Sequence, residues 1–183
     1  TYDPSGNRLL ERVNTTNIIA SYNGLNQLNN LTNSLSGYRT NEWDGKNRLV
    51  SVNAGNRRTE FTYDGGSKLA SIRLLTNGVE ASLRRFVWAG NTISEERDAS
   101  GGVTTKRYFQ QGMKVETGPF SGVYFFTRDH LGSVREIVDS SGNLRARYVY
   151  DPYGRRTKTS GDLDADFGFA GMFWSAEASV CLT

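Results

Sequence analysis

Polar and apolar residues alternate in short runs along most of the chain, and glycine-containing turn sequences separate these runs. In residues 58–63, Thr59, Phe61 and Tyr63 alternate with polar side chains. Alternation with a period of two is typical of a strand that buries one face. Amphipathic helices instead show a sustained three-and-four spacing, which no long segment of this sequence has. The pattern therefore predicts an all-β chain with little helix.

The clearest hairpin lies between residues 133 and 150. Residues 133–138 and 144–150 are two strand-like runs around the turn sequence Asp-Ser-Ser-Gly-Asn at 139–143. In the second run, Leu144, Ala146, Tyr148 and Tyr150 fall on one face. A second turn follows at once, in which proline presets φ and glycine tolerates positive φ. This second turn consists of Asp151, Pro152, Tyr153 and Gly154.

A repeat of an aromatic residue, an Asx residue and a glycine organises the first part of the chain. The three complete copies are Tyr22-Asn23-Gly24, Trp43-Asp44-Gly45 and Tyr63-Asp64-Gly65, and Tyr2-Asp3 begins a degenerate copy. A fixed period of this kind, about 20 residues, indicates a repeat architecture with one hairpin in each unit. We predict that the Asx side chain starts each turn and that the glycine directly after it adopts positive φ. Because a single hairpin is marginal in water, consecutive hairpins are predicted to pair edge to edge.

Composition agrees with strands joined by glycine turns, because the chain has 20 Gly, 3 Pro, 9 Tyr, 9 Phe and 3 Trp. The aromatic side chains are predicted to pack between neighbouring hairpins, and an exposed aromatic row that stacks on carbohydrate is the alternative. The net charge of +3 is dispersed along the chain. A nucleic-acid partner would require a basic stripe, so none is predicted. No apolar run is long enough to span a bilayer as a helix.

Residue types that support catalysis or metal binding are scarce. His130 is the sole histidine and Cys181 the sole cysteine, which excludes a histidine metal cluster and an internal disulfide. Asp129 and His130 are neighbours, and neighbours on a strand face opposite ways, which argues against a catalytic pair. We therefore predict that His130 is a hydrogen-bonded structural residue at the start of a strand. No cofactor is predicted.

The segment 157–166 is polar and predicts a loop. Asp162, Asp164 and Asp166 alternate within it. A calcium-binding loop would also require a glycine and a later glutamate, and both are missing. The sequence therefore predicts a solvated acidic loop at this position.

Four motifs resemble the RHS/YD-repeat family, and they occur in the family's order. They are residues 129–134, the turn at 139–143, residues 150–155 and the Phe-Gly-Phe-Ala-Gly sequence at 167–171. The resemblance divides the chain into YD-type repeats at 1–85 and an RHS-associated core-like region at 86–183, continuous with the repeats. The core-motif residues that it selects are Asp129, His130, Leu131, Gly132, Ser133, Val134, Tyr150, Asp151, Pro152 and Gly154.

The resemblance implies consecutive antiparallel hairpins that form a curved sheet, as a fragment of a β-shell. In this family the shell encloses a C-terminal toxic polypeptide and belongs to bacterial secreted or surface proteins. The implied partners are flanking repeats and the enclosed effector, and the implied role of this stretch is structural and non-enzymatic. An adhesion or carbohydrate-binding module is the first alternative, and part of an autoproteolytic core is the second.

Two details near the end of the chain follow from the same resemblance. Self-cleavage in the family uses paired Asp-Pro motifs downstream of the core, whereas Asp3-Pro4 and Asp151-Pro152 lie in upstream turns. No catalytic residue is therefore expected in this stretch. The family also carries Asp at the position of Ser175 and Thr-Gly at Ala178-Ser179, so a looser last turn is expected. Because the sequence starts within a repeat, open strand edges and self-association of the isolated chain are expected.

Overall fold

A computed structural model describes residues 1–35 and 37–182 and contains strands, turns and one turn of 3-10 helix within those ranges. The residues divide into two compact units, Thr1–Arg84 and Arg85–Thr183. Neighbouring strands pair antiparallel in the order of the sequence. The predicted all-β fold of consecutive antiparallel hairpins is confirmed. The assignment of 1–85 to YD-type repeats and of 86–183 to a core-like region stays a prediction.

The first unit is a sheet of hairpins in which each strand pairs with the next one along the chain. Its strands are β1 (Leu10–Val13), β2 (Thr16–Tyr22), β3 (Leu28–Asn33), β4 (Gly37–Trp43), β5 (Leu49–Ala54), β6 (Arg57–Tyr63) and β7 (Leu69–Thr76), followed by the first half of β8 (Val79–Ala89). Val52 on β5 lies opposite Thr59 on β6, and Phe61 lies opposite Ile72 on β7. All four side chains are buried, so they form the apolar face of this unit.

The second unit continues the same order from the second half of β8. Its strands are β9 (Thr92–Arg97), β10 (Thr104–Phe109), β11 (Gly112–Val115), β12 (Gly122–Arg128), β13 (Val134–Asp139), β14 (Leu144–Tyr150), β15 (Arg156–Gly161), β16 (Phe173–Ser175) and β17 (Val180–Leu182). The core contains Met113, Tyr124, Ile137 and Tyr148 from four of these strands. Leu163 and Ala165 also belong to this core, so the segment after β15 covers one face of the sheet.

The loop prediction for residues 157–166 is wrong in its first half. Residues 156–161 form β15, which pairs with β14 through Tyr148↔Lys158 and Tyr150↔Arg156. Alternating threonines favour a strand, and a strand with its side chains largely in water needs no apolar residue. The polar composition of this segment therefore concealed a strand.

The last turn joins β16 to β17 and is closed, with Ser175 opposite Val180. Ser179 adopts the left-handed conformation there, with a φ of 53°. That conformation costs a residue with a Cβ atom on the order of 1 kcal/mol of conformational free energy, whereas a glycine adopts it freely. The expectation of a looser turn is therefore wrong, because Ser179 adopts the backbone conformation that a glycine would otherwise provide.

Candidate functional site

The repeat turn is closed by one side-chain oxygen of its Asx residue. At Asp44, the Oδ1 atom accepts the backbone N–H groups of Lys46 and Arg48 at 2.9 and 3.0 Å. The backbone N–H of Asn47 donates to the carbonyl oxygen of Asp44 at 3.1 Å. Asn47 is left-handed, with a φ of 62°. The carboxylate thus satisfies the backbone donors that the turn would otherwise leave unpaired.

The same backbone hydrogen bond, from the third residue after the Asx back to the Asx carbonyl, recurs along both units, and that third residue always has positive φ. The Asx residues are Asp3, Asn23, Asp44, Asp64, Asp98, Asp129, Asp139 and Asp151, and the left-handed residues are Gly6, Asn26, Asn47, Ser67, Gly101, Gly132, Gly142 and Gly154.

The prediction that the glycine directly after the Asx adopts positive φ is wrong. Gly24, Gly45 and Gly65 lie outside the left-handed region, and a Cβ atom at any of them would meet no atom within 4 Å. The third position needs the left-handed conformation, and asparagine or serine also occupies it because a short polar side chain tolerates it. The motif therefore marks the turn correctly but assigns the special dihedral to the wrong residue.

The repeat aromatic residues link the end of one strand to the start of the preceding strand. Trp43 Nε1 donates to the carbonyl oxygen of Leu28 at 3.0 Å, and the Tyr63 hydroxyl donates to that of Leu49 at 2.8 Å. The Tyr22 hydroxyl makes a longer bond of 3.4 Å to the Arg8 carbonyl. In each case the acceptor lies six residues after the preceding repeat aromatic. Tyr2, in the degenerate copy, is 65% exposed.

Tyr150 makes the equivalent link in the second unit, where its hydroxyl donates to the Val134 carbonyl oxygen at 2.8 Å. Burial raises the pKa of Tyr150 to about 12. We call these four bonds, from Tyr22, Trp43, Tyr63 and Tyr150, the aromatic links. In each aromatic link, the side chain at the end of one strand bonds a backbone carbonyl at or near the start of the strand directly before it.

A series of side-chain hydrogen bonds, which we call the turn ladder, joins consecutive turns along one edge of the first unit. Asn7 Nδ2 donates to Asn26 Oδ1 at 3.1 Å, and Gln27 Nε2 donates to Asn47 Oδ1 at 2.8 Å. Arg48 Nη1 continues the series with a bond of 3.2 Å to Ser67 Oγ. The donor is always the fourth residue after an Asx, and the acceptor is the left-handed residue of the next turn. The recurrence of polar residues at these two positions is a sequence signal that the aromatic–Asx–glycine pattern does not include.

The other face of the first sheet carries a row of ion pairs. Arg58 bridges Glu42 and Glu60 at 2.7 and 2.8 Å, and Arg73 bridges Glu60 and Glu80 at 3.5 and 2.8 Å. The hydrogen bond from Arg58 lowers the pKa of Glu42 to about 2. All these side chains remain partly exposed, so the row faces water and opposes the buried residues on β5, β6 and β7.

The core motif at 129–134 forms an Asx turn whose residues differ in burial and in hydrogen bonding. Asp129 Oδ1 accepts the backbone N–H groups of Leu131 and Ser133 at 3.0 and 2.9 Å. Leu131 is exposed, whereas Ser133 and Val134 are fully buried. The Ser133 hydroxyl accepts the backbone N–H of Ala170 at 3.0 Å. This bond ties the start of β13 to residues 162–182, which we call the covering segment.

His130 does not have the role that the sequence predicted. It is exposed at the second position of the Asp129 turn, and its side chain makes no hydrogen bond to residues 1–35 or 37–182. The prediction of a hydrogen-bonded structural histidine is therefore wrong. The carboxylate of Asp129 accepts its hydrogen bonds from the turn backbone.

The Asp151 turn repeats this geometry, with Oδ1 accepting the N–H groups of Tyr153 and Arg155 at 2.8 and 3.0 Å. Pro152 occupies the turn position that needs no N–H donor. Gly154 has a φ of 79°, and a Cβ atom there would lie 2.8 Å from Cδ1 of Phe169. The covering segment therefore packs directly on this turn, and only glycine leaves it room.

A buried ionic cluster attaches the covering segment to β9 and β10. Asp166 is 7% exposed, and its Oδ2 accepts hydrogen bonds from Lys106 Nζ at 2.7 Å and from the Tyr108 hydroxyl at 2.9 Å. Glu96 is 6% exposed and lies 3.6 Å from the same ammonium group. Burying carboxylates is costly unless they are paired and hydrogen-bonded, as they are in this cluster.

The prediction of a solvated acidic loop is therefore wrong for Asp166, whereas Asp162 and Asp164 are exposed and form surface ion pairs. Asp162 binds Arg145 at 2.8 Å, and Asp164 lies 3.3 Å from Lys158. Across residues 1–35 and 37–182, no group of three or more His, Cys, Asp or Glu side chains has a geometry that could hold a metal ion. No helix in the described part of the chain is long and apolar enough to cross a membrane.

The comparisons with known proteins agree with the repeat geometry. No protein-family model matches the chain. The tRNA3(Ser)-specific nuclease WapA of Bacillus spizizenii is 27% identical over 202 residues, which cover 98% of this chain and 8% of that protein. The double-stranded DNA deaminase toxin A of Burkholderia cenocepacia is 29% identical over 159 residues, which cover 76% of this chain and 11% of that protein. The chain thus spans about a tenth or less of the relatives that it matches.

Among solved structures, a chain of the Photorhabdus luminescens Tc holotoxin pore superimposes with a TM-score of 0.55 at 11% sequence identity. The match covers 89% of this chain and 11% of that one. At this identity the similarity concerns the fold. The similarity in fold agrees with the repeat motifs found in the sequence.

Proposed function

We propose that this chain, an RHS/YD-repeat segment by its motifs and its fold, is a length of shell wall that encloses a C-terminal toxic polypeptide. The proposal rests on which parts of the chain the repeated contacts join. The Asx oxygen closes the turn between two strands, each aromatic link ties a strand to the one before it, and the turn ladder joins consecutive repeat turns. Such a unit can be added indefinitely, which is the property that a wall requires.

The two faces of the first unit support the same role. One face carries the partly exposed ion pairs of Glu42, Arg58, Glu60 and Arg73, and the other carries buried residues such as Phe61. A sheet with one water-facing side and one packed side is compatible with a wall that meets water on a single side.

The named activities of the relatives support a link to toxins. They are a tRNA nuclease and a DNA deaminase toxin, and this chain corresponds to a small fraction of each. We place any toxic activity of the parent protein outside this stretch, and we assign this stretch a structural, non-enzymatic role in a bacterial secreted or surface protein. Flanking repeats and the enclosed effector are the proposed partners.

The carbohydrate-binding alternative would need its aromatic rings free on one surface. Trp43, Tyr63 and Tyr150 instead direct their polar atoms to backbone carbonyl groups of the preceding strand. This arrangement favours the wall, and a glycan-binding measurement on the chain tests the alternative separately.

Protease protection tests the proposal in the complete parent protein. The polypeptide that follows the wall should resist digestion, and Asp44→Ala together with Tyr63→Phe should expose it by loosening two hairpins. Lys46→Ala is the matched control, because only the backbone of Lys46 takes part in the turn. Equal digestion of that polypeptide in the presence and absence of an intact wall would contradict encapsulation.

A further inference from the structure

A pocket of about 650 Å³ opens on the second unit, where β8, β9, β10 and β12 meet the covering segment. Its walls are mainly aromatic and aliphatic, and they include Trp88, Ile93, Phe109, Phe167, Phe173 and Leu182. Small-molecule sites typically occupy about 300–1,000 Å³ and have predominantly apolar walls with a few polar groups. The pocket therefore has the size and lining of a ligand site.

The aromatic wall is held in a defined geometry. Tyr108 meets Phe167 edge to face with ring centroids 5.2 Å apart, and Phe167 meets Phe173 in the same way at 5.8 Å. Phe173 in turn packs on Phe86 at 5.1 Å. Because each ring is fixed by the next, a ligand would lose little free energy in ordering this wall.

The lining of the pocket includes one cation, Arg128, with unused hydrogen-bond donors. Arg128 Nη1 donates to the carbonyl oxygen of Gly132 at 2.9 Å, whereas its Nε and Nη2 groups make no hydrogen bond or ion pair within residues 1–35 and 37–182. Burial lowers the pKa of Arg128, but an arginine in a protein remains charged.

Two amide side chains, Asn91 and Gln110, also line this pocket, and neither makes a side-chain hydrogen bond within the described ranges. The lining contains no aspartate or glutamate among the residues that the structure describes. An anionic group would therefore meet one guanidinium and two neutral amides without facing a like charge.

We propose that this pocket binds a carboxylate carried on a bulky aromatic or aliphatic body. The carboxylate pairs with the free Nε and Nη2 edge of Arg128, in the side-on geometry that a planar guanidinium offers to a carboxylate. The apolar body lies against the aromatic wall. Such a ligand is either a free small molecule or the last residue of a peptide, since both present the same chemistry.

Binding of matched probes to the whole chain tests the proposal. N-acetylphenylalanine is compared with its uncharged amide, and a tetrapeptide ending in phenylalanine is compared with the same peptide amidated. The acids should bind more tightly than the amides by about tenfold, which corresponds to one charge-assisted hydrogen bond at a partly solvated site. Titration followed by amide NMR shifts of Ile93 and Phe173 reports the site. Binding of the tetrapeptide acid identifies a peptide source, and binding of N-acetylphenylalanine alone identifies a free small molecule.

Three variants separate the charge from the cavity. Arg128→Gln should reduce acid affinity to that of the amide and leave amide affinity unchanged. Arg147→Gln makes the same charge change on β14 outside the pocket and should alter neither affinity. Thr92→Trp should fill the cavity and abolish binding of both probes, while an unchanged urea midpoint shows that each variant is folded.

The proposal is overturned if the unmodified chain shows no saturable binding at millimolar probe, or if acid and amide bind equally. It is also overturned if Arg128→Gln keeps the preference for the acid.

Discussion

One side-chain oxygen accepts backbone N–H groups two and four residues ahead in the turns of Asn23, Asp44, Asp129, Asp139 and Asp151. The structure separates this role from that of the left-handed residue, which always lies three positions after the Asx. Asparagine at Asn23 performs the same acceptor role as aspartate. Geometry, and not charge, is therefore the common requirement at the first position of the turn.

Backbone conformation decides which glycines tolerate substitution. Gly78 has a φ of 78°, whereas Gly45 has an ordinary φ and open space around it. We predict that Gly78→Val lowers the free energy of unfolding by about 1–2 kcal/mol, the cost of a left-handed residue with a side chain. Gly45→Val should change it by much less, as measured by urea unfolding. A loss at Gly45 equal to or larger than that at Gly78 would show that the dihedral is not the deciding property.

Acid should destabilise the chain through its paired carboxylates. Arg58 lowers the pKa of Glu42 to about 2, and hydrogen bonds from Arg48 lower the pKa of Asp44. A lowered folded-state pKa gives stability that is present above the unfolded-state value of about 4 and is lost as the pH falls through the folded-state value. We predict that the urea midpoint falls between pH 5 and 2, and that Glu42→Gln makes this fall smaller. A midpoint that is constant over this range would refute the linkage.

At the scale of the elements, the structure is a series of antiparallel strands whose backbone pairing is supplemented by two kinds of side-chain contact. The aromatic links run from the end of one strand to the start of an earlier one, and the turn ladder runs along one edge of the sheet. The covering segment is held differently, by apolar burial and by the Asp166 cluster. Each contact can therefore be weakened on its own.

The aromatic link from Tyr150 should contribute measurable stability. Tyr150→Phe removes its hydroxyl and leaves the Val134 carbonyl without that donor, which costs about 0.5–1.5 kcal/mol at neutral pH. Tyr22→Phe, which removes a bond of 3.4 Å, is the control and should cost less. The raised pKa of Tyr150, about 12, gives stability that is complete below the unfolded-state value of about 10 and is lost as the pH rises through 12. Tyr150→Phe should therefore also reduce the alkaline loss, and equal costs for both variants would contradict this account.

Asp166 should control the attachment of the covering segment. Asp166→Asn weakens the bond to Lys106, and we predict a loss of about 1–3 kcal/mol, less than for a fully buried pair because Lys106 keeps Glu96 and some solvent. Hydrogen exchange should accelerate at the amides of 163–175. Asp162→Asn breaks an exposed pair and should leave these amides unchanged. Equal exchange in both variants would show that the cluster does not hold the segment.

At the scale of the whole molecule, the repeated contacts explain how a sequence with few helix-forming patterns builds an extended antiparallel structure. Hairpin contacts are local, and each new hairpin reuses the same positions of the repeat. A repeat structure of this kind grows by addition and needs no single large core, because each unit is stabilised mainly by its neighbours.

Local patterns in the sequence predicted most of this architecture. Alternation located strands such as β6 and β14, and the Asx-containing motifs located the turns. These features depend on neighbouring residues, so a single sequence contains the necessary information. β15 escaped because its side chains are polar, and the left-handed position escaped because the conspicuous glycine lies elsewhere in the turn.

The missed features depend on contacts between distant residues. Asp166 looked like part of a solvated loop because Lys106 and Tyr108 lie about 60 residues before it. The residues that line the pocket come from several separate strands and from the covering segment. No single stretch of the sequence therefore predicts the pocket. Long-range burial of a charge or an aromatic ring becomes visible only when the strands are placed side by side.

A cryo-electron microscopy map of the complete parent protein tests most directly whether these hairpins enclose a polypeptide. We expect density for these hairpins as one stretch of a continuous wall. We also expect separate polypeptide density against a single face of that wall. A map in which both faces of these hairpins meet only solvent would contradict the proposal that they enclose a polypeptide.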